Sequence, residues 1–380
     1  MATVSIKQDP SVLAARLTKA AETAAAAKLD ALLISPGSDL RYLLGAGGES
    51  HERLTCLVLP ADGRPALVVP KLEEPGFAGI PLAELGIEVV TWVDGQDPHA
   101  MVADLARRGG APSRLAVADV MPALHTIPLR AALPDAEQVL AGTVLRELRM
   151  RKDAAEIEAL RKAGAAIDRV HARMAEFLKA GRTEAEVGAD ISAAIIEEGH
   201  TEVAFVIVGS GPNGASPHHD VSDRVIERGD VVVVDIGGPI AEGYNSDCTR
   251  TYSVGEPAQA DVRETYAVLE AAQRAAVEAV RPGATAESID AAAREPIAAA
   301  GFGEYFVHRT GHGIGLDVHE EPYIVGGNAA SLEPGIAFSV EPGIYLPGRW
   351  GARIEDIVIV TEDGVESVNN QPHELVVLPA

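Results

Sequence analysis

The sequence predicts an α+β protein of two domains, a smaller α/β one followed by a larger one built as a pseudo-two-fold repeat. Three observations predict it. Short apolar strands alternate with helical sequence through the first third, a helix–helix–strand order then occurs twice, and each occurrence ends in a β-hairpin carrying one carboxylate per strand. With 380 residues the chain has room for two domains and a large core.

In the first third, apolar runs bounded by turn residues predict strands at 31–35, 55–60, 65–70, 88–92 and 115–120. Around residues 140–150 the character changes to charged helical sequence, which places the domains at 1–145 and 146–380. From Asp153 an amphipathic pattern predicts a helix running toward Ala180, with Gly181 suited to its C-cap. Thr183 opens a second helix, and Glu186 completes a capping box with it. The order then returns: a helix over 261–280, Pro282-Gly283, and Thr285 as N-cap of a helix ending near Gly301.

The stretches from Asp235 to Asp247 and from Glu341 to Glu355 carry the chemistry. Asp235 ends the apolar run Val231-Val232-Val233-Val234, and Glu341 follows Phe338-Ser339-Val340, so both acids end strands expected to be buried. Residues that pair across a hairpin have a constant number sum. Asp235 would face Asp247 if the first turn centres on Ala241, and Glu341 would face Glu355 if the second centres on Gly348. Carboxylates crowded in this way repel and raise one another's pKa unless a cation compensates them. Four isolated surface acids would be the bland alternative, but an acid at the end of a buried strand must be paired or coordinated.

Between the hairpins lies His308-Arg-Thr-Gly-His312-Gly-Ile-Gly-Leu-Asp-Val-His319. Its glycines argue against a helix and let the backbone at His312 approach a ligand closely, which makes His312 the fifth metal ligand. Ser216-Pro217-His218-His219 precedes the first hairpin; His218 is assigned to the site and His219 to solvent. Four carboxylates and one imidazole match the charge of two divalent ions. Oxygen-rich coordination favours Mn²⁺, with Co²⁺ or Zn²⁺ as alternatives. A water shared by paired metals would be acidified to hydroxide near neutral pH, which predicts a hydrolase.

In the settings Val-Asp-Ile-Gly, Asn-Ser-Asp, Gly-His-Gly-Ile-Gly, Val-Glu-Pro-Gly-Ile-Tyr and Arg-Ile-Glu-Asp, these five residues resemble the pita-bread metallopeptidases, and among them the prolidase (Xaa-Pro dipeptidase) and aminopeptidase P group. The resemblance covers nearly the whole chain, since residues 32–45 and 54–70 look like the creatinase-like N-terminal domain of that family. It implies that Asp235 holds one metal, that His312 and Glu341 hold the other, and that Asp247 and Glu355 bridge both. It also implies catalytic roles for Glu341, His218, His308 and His319, with Arg353 orienting Glu341 or Glu355, and a homodimer. The implied reaction is hydrolysis of the bond before proline in Xaa-Pro dipeptides by metal-bound hydroxide. Release of the N-terminal residue from longer Xaa-Pro peptides is the alternative. One departure bears on that choice: prolidases commonly place an arginine after the Val-His-Glu element to hold the dipeptide carboxylate, and here Glu320-Glu321-Pro322-Tyr323 supplies tyrosine. Arg41 and Arg53 are candidates to replace it.

A formal charge of −24 argues against nucleic acid or an anionic membrane as partner. The N-terminal stretch has no apolar leader segment and no later run approaches a membrane span, so a cytoplasmic protein is expected. Cys56 and Cys248 lie in apolar settings and read as two buried thiols rather than a disulfide. Metal-free creatinase-like hydrolases share the fold but lack the full ligand set, and a non-catalytic binding module would not need it.

Overall fold

The computed structural model describes residues 4–5, 9–48 and 50–380, so much of the N-terminal stretch inspected for a leader lies outside the described residues. The chain divides into two compact units, residues 1–149 and 150–380.

In the first unit the strands are β1 (Val4–Ser5), β2 (Ala31–Ile34), β3 (Ala46–Gly47), β4 (Cys56–Pro60), β5 (Ala66–Pro70), β6 (Glu88–Trp92), β7 (Arg114–Val117) and β8 (Glu137–Leu140). A six-stranded mixed sheet has the order β6-β5-β4-β2-β7-β8, in which β2 is central and all four of its residues are buried. Parallel pairing of β2 with β7 and of β7 with β8 requires crossovers, which α3 (Pro98–Ala106) and α4 (Ala123–Ala132) supply; α1 (Pro10–Ala26), α2 (Ser38–Leu44) and α5 (Gly142–Met150) complete the unit. Asp9 and Asp97 cap α1 and α3 through their side chains, each followed by proline at the first helical position, where the missing N–H costs nothing.

The second unit is built twice over. Helices α6 (Ala154–His171), α7 (Met174–Phe177) and α8 (Glu184–Glu197) pack on a four-stranded sheet of order β19-β11-β10-β9, where β9 is Phe205–Ser210, β10 Val231–Pro239, β11 Asn245–Val254 and β19 Val376–Leu378. Helices α9 (Val262–Ala279) and α10 (Ala286–Ala299) pack on a five-stranded sheet of order β13-β12-β14-β17-β18. Its strands are β12 (Gly311–Gly313), β13 (Glu320–Ile324), β14 (Ala337–Val340), β17 (Asp356–Val360) and β18 (Val365–Ser367), and a ribbon of β15 (Gly343–Leu346) and β16 (Trp350–Arg353) completes the second half. Each half has its own apolar core, around Ile167, Ile191, Val232 and Val234 in one and around Leu269, Ile289, Phe338 and Val358 in the other.

The capping boxes form as the sequence predicts: Asp153 with Glu156 at α6, and Thr183 with Glu186 at α8. Thr285 caps α10. One expectation fails, because the helix from Asp153 does not run to Ala180 but stops at His171 and resumes as a single turn. No glycine or proline marks the break. His171 is buried, with Nδ1 paired to the Tyr252 hydroxyl at 2.9 Å and Nε2 to the Cys248 carbonyl at 3.1 Å, so β11 fixes the helix end. Cys56 and Cys248 are free and buried, one in each unit. Among the described residues no helix is long and apolar enough to cross a membrane.

Candidate metal centre

Four carboxylates reach one cavity from strands of both halves. In the β10–β11 ladder Asp235 faces Thr249 and Asp247 faces Gly237, so the two acids are diagonal neighbours rather than directly opposed. The turn explains this correction. Ile240 and Tyr244 close it with a 3.0 Å hydrogen bond and Gly243 takes a φ of +81°, which moves its centre one residue beyond Ala241. The parity of the ladder keeps both side chains on one face, where diagonal neighbours about 7–8 Å apart can still converge through their side chains.

The second pair follows the register centred on Gly348: Val340 faces Asp356 on one side and Gly343 faces Arg353 on the other. Between these ladders the pairing is interrupted. Glu341 donates its N–H to the Thr310 carbonyl at 2.8 Å, and Glu355 donates its own to the Thr249 carbonyl at 3.1 Å. Thr249 Oγ1 also donates to Glu355 Oε2 at 2.7 Å, so β11 of the first half aims a carboxylate of the second.

His312 sits between two glycines whose role differs from the expectation. They admit neighbouring backbone rather than a ligand, since a Cβ on Gly311 would lie 1.8 Å from the Ser339 carbonyl and one on Gly313 2.2 Å from that of Glu321. His312 N–H donates to Ser339 Oγ at 3.0 Å, and Ser339 donates in turn to Glu341 Oε1 at 3.0 Å.

Ligand-type atoms of Asp235, Asp247 and Glu355 lie within 4.8 Å of one another, as do those of His312, Glu341 and Glu355 and those of Asp247, His312 and His319. The residues fit a divalent cation. Asp235 gives one oxygen to Arg353 Nη2 at 2.5 Å, while its buried Oδ1 has no hydrogen-bond partner among the described residues and is an acceptor suited to a positive charge. Burial and the neighbouring carboxylates push Asp247 and Glu355 well above the ordinary carboxylate range. For Glu341 burial pushes upward, but the hydrogen bond and charge of His312, with His308 and Arg353 behind them, hold it at about 2.

The cavity measures about 930 Å³ and is lined by His218, His308 and His319 as well as the five ligand candidates. His308 has both nitrogens engaged, Nδ1 with the Arg309 carbonyl at 2.7 Å and Nε2 with the Tyr345 hydroxyl at 2.8 Å. Partial loss of solvent, together with the charges of His312 and Arg309, brings His319 down to about 4, which leaves it a neutral donor at pH 7. Arg353 corrects its assignment: it holds Asp235 directly and reaches Glu355 only through Thr249, to which its Nε donates at 3.0 Å. His219 also corrects its own. It is not solvated but pairs at 2.7 Å with Glu184, whose fully buried side chain also receives hydrogen bonds from Ser210, Asn213 and Ser222. That carboxylate pins the loop carrying His218.

Sequence reasoning passed over Thr249, Ser339, Tyr345, Asn245 and Glu184. Thr249 and Ser339 each lie two residues from a ligand candidate, Asp247 and Glu341, a period-two signal that could have found them. Tyr345 donates to His308 and accepts from Arg353 Nη1 at 2.7 Å. Asn245 ties the loop bearing His319 to β11 through the Gly315 and Leu316 carbonyls. Nothing in the local sequence marks Glu184, which reads as one more first-turn acid.

The model of metallopeptidase family M24 matches residues 158–362, and that of the creatinase/prolidase N-terminal domain matches residues 16–151. The chain is 64% identical over 371 residues to a probable dipeptidase PepE of Mycobacterium tuberculosis, covering 98% of each. Among solved structures it resembles dipeptidase PepE from Mycobacterium ulcerans, at 60% identity and a TM-score of 0.94, over 98% of this chain and 100% of that one. It also resembles a prolidase from Thermococcus sibiricus, at 38% identity and a TM-score of 0.90, over 98% of this chain and 100% of that one.

Proposed function

The chain belongs to metallopeptidase family M24, with a pita-bread catalytic fold behind a creatinase/prolidase N-terminal domain, and from that premise we propose that it hydrolyses the peptide bond preceding proline in Xaa-Pro dipeptides. The observation that carries the reading is the convergence of Asp235, Asp247, His312, Glu341 and Glu355 in one cavity with an orphaned carboxylate oxygen. Asp247, His312 and Glu355 each recur in two of the close groups, and of these the two carboxylates have a second oxygen with which to bridge. Mn²⁺ is the proposed occupant, with Co²⁺ or Zn²⁺ as alternatives. Two divalent ions bound there would supply a hydroxide nucleophile near neutral pH and polarise the scissile carbonyl.

The chain's own residues do the rest. A bond before proline has no N–H on its nitrogen and a ring that blocks ordinary extended binding, so the site must read shape and charge instead. Glu341 takes the proton of the nucleophile and delivers it to the proline nitrogen as the bond breaks, a general base turned general acid, with Ser339 fixing one of its oxygens. Neutral His319 donates to the carbonyl oxygen as charge develops there. His218 and the ring of His308 line the proline side, and Arg353 fixes Asp235.

One observation favours the aminopeptidase reading: Tyr323 stands where a carboxylate-binding arginine is expected. Hydrolysis of Ala-Pro, Ala-Pro-Ala and Ala-Ala by protein of measured metal content tests both. Ala-Pro is expected to be preferred by at least tenfold over the others. Equal cleavage of Ala-Pro-Ala would replace the dipeptidase reading with the aminopeptidase one, and cleavage of Ala-Ala alone would remove proline specificity.

A further inference from the structure

We propose that Arg309, its guanidinium held on the ring of Tyr323, is the cation that receives the C-terminal carboxylate of the dipeptide. The inference rests on the dipeptidase reading and deepens it. Arg309 lines the same cavity as His308, His319 and Glu341. Its Cζ lies 4.2 Å from the centroid of the Tyr323 ring. Stacking of this kind orients a planar guanidinium and leaves its edge N–H groups available for the bidentate contact that a carboxylate offers.

The platform is tied to the metal centre. Tyr323 faces His312 across the β12–β13 ladder, so the ring under the guanidinium is indexed to a proposed metal ligand. The backbone is fixed as well: the Arg309 carbonyl accepts from His308 Nδ1, and the next residue, Thr310, donates its N–H and hydroxyl to Asp290 at 3.2 and 2.7 Å. His308 thus acts as a positioning residue for Arg309.

The charge inventory points the same way. Among the described residues Arg309 and Arg353 are the lysine or arginine residues lining the cavity, and Arg353 is buried and committed to Asp235, Thr249 and Tyr345. Arg309 has no ion pair with any acid among the described residues, in a chain with 56 Asp and Glu against 32 Lys and Arg. A cation unpaired in such an acidic chain, beside a cavity proposed for small anionic-ended peptides, is placed for a ligand. Arg53, one of the two candidates from sequence, is already bound to Asp94 through two 3.0 Å contacts and to Glu52. Tyr323, at the position where prolidases carry arginine, becomes the support for a cation supplied from the neighbouring segment.

The test uses the full-length, metal-loaded enzyme and compares kcat/KM for Ala-Pro and Ala-Pro-amide. It also compares binding of the non-cleavable Ala-ψ[CH2–N]-Pro with a free or amidated end, which reads Arg309 independently of turnover. The free carboxylate should be preferred roughly tenfold to a hundredfold, and Arg309→Ala should bring both ratios to within about threefold of one. Arg309→Lys should restore part of the preference, Tyr323→Phe should keep it, and Tyr323→Leu should weaken it. Retention of the wild-type ratios in Arg309→Ala, or their collapse in Arg41→Ala or Arg53→Ala instead, overturns the proposal while leaving the dipeptidase reading intact. If wild-type enzyme turns over Ala-Pro-Ala as well as Ala-Pro, the dipeptidase reading fails, and equal binding of the two non-cleavable analogues removes Arg309's role with it.

Discussion

Asp235 gives one oxygen to a permanent cation while the other has no hydrogen-bond partner among the described residues, and that division makes Arg353 more than a bystander. Replacing Arg353 with methionine should lower Mn²⁺ affinity roughly tenfold to a hundredfold in a calorimetric titration, the usual effect of losing a group that orients a ligand; unchanged affinity would show that Asp235 is held by its strand alone. Glu341→Gln should lower kcat/KM by at least about a thousandfold at equal metal occupancy, because it removes the proposed proton carrier as well as a proposed ligand. His219→Ala should also cost activity, though less, since it loosens the loop of His218 without touching the reacting atoms. Glu184 makes this region acid-sensitive. Burial pushes its carboxyl upward, but hydrogen bonds from Ser210, Ser222 and His219 outweigh that and leave it below the ordinary glutamate value. Its folded pKa is depressed, so the stability it contributes is present above the unfolded value near 4.5 and is lost as pH falls through the folded one. Glu184→Gln should therefore destabilise the protein by about 2–4 kcal/mol at pH 7 and lose less on acidification than wild type does; parallel pH profiles from thermal unfolding would contradict this.

At the scale of elements, the repeat is clearer in the backbone than in the side chains. Gly181 and Gly283 take positive φ before the matching N-cap threonines, and Gly199 and Gly301 do so after the matching helices. Thr183 and Thr285 also make equivalent isolated bridges, to Val225 and Ser331. Helix starts were legible because capping is local chemistry, and so was the second hairpin, whose Pro347-Gly348 turn admits one centre. The first hairpin slipped because residues 238–243 offer several turn-forming centres and only the tertiary setting selects one. The break at His171 was illegible for a related reason, since its cause lies on another strand. The five proposed ligands were readable because acids and a glycine-flanked histidine interrupt apolar strand sequence, although Asp235 and Asp247 lie within β10 and β11 rather than at strand ends; Glu184 works through partners distant in sequence. Gly311→Ala should test how tightly β12 is packed against β14: its Cβ would overlap the Ser339 carbonyl, so a loss of more than about 3 kcal/mol and of His312 metal binding is expected. Normal melting and normal metal affinity would mean that the two strands can separate at little cost.

For the whole molecule, the carboxylate cluster is a liability that bound metal removes. Exhaustive chelation should abolish hydrolysis, addition of Mn²⁺ or Co²⁺ should restore it, and Mn²⁺ should raise the melting temperature by several degrees through preferential binding to the folded state; full turnover by verified metal-free protein would end the metal mechanism. The pair of cysteines offers a finer reading of the same coupling. Burial pushes the Cys56 thiol up to about 12 and raises that of Cys248 still more clearly, so neither reacts until its surroundings open. Each belongs to a different unit, and Cys248 is the residue after Asp247. Alkylation followed by mass spectrometry thus gives the chain two independent clocks, and chelation should speed the one at Cys248 while leaving the one at Cys56 to keep its own time.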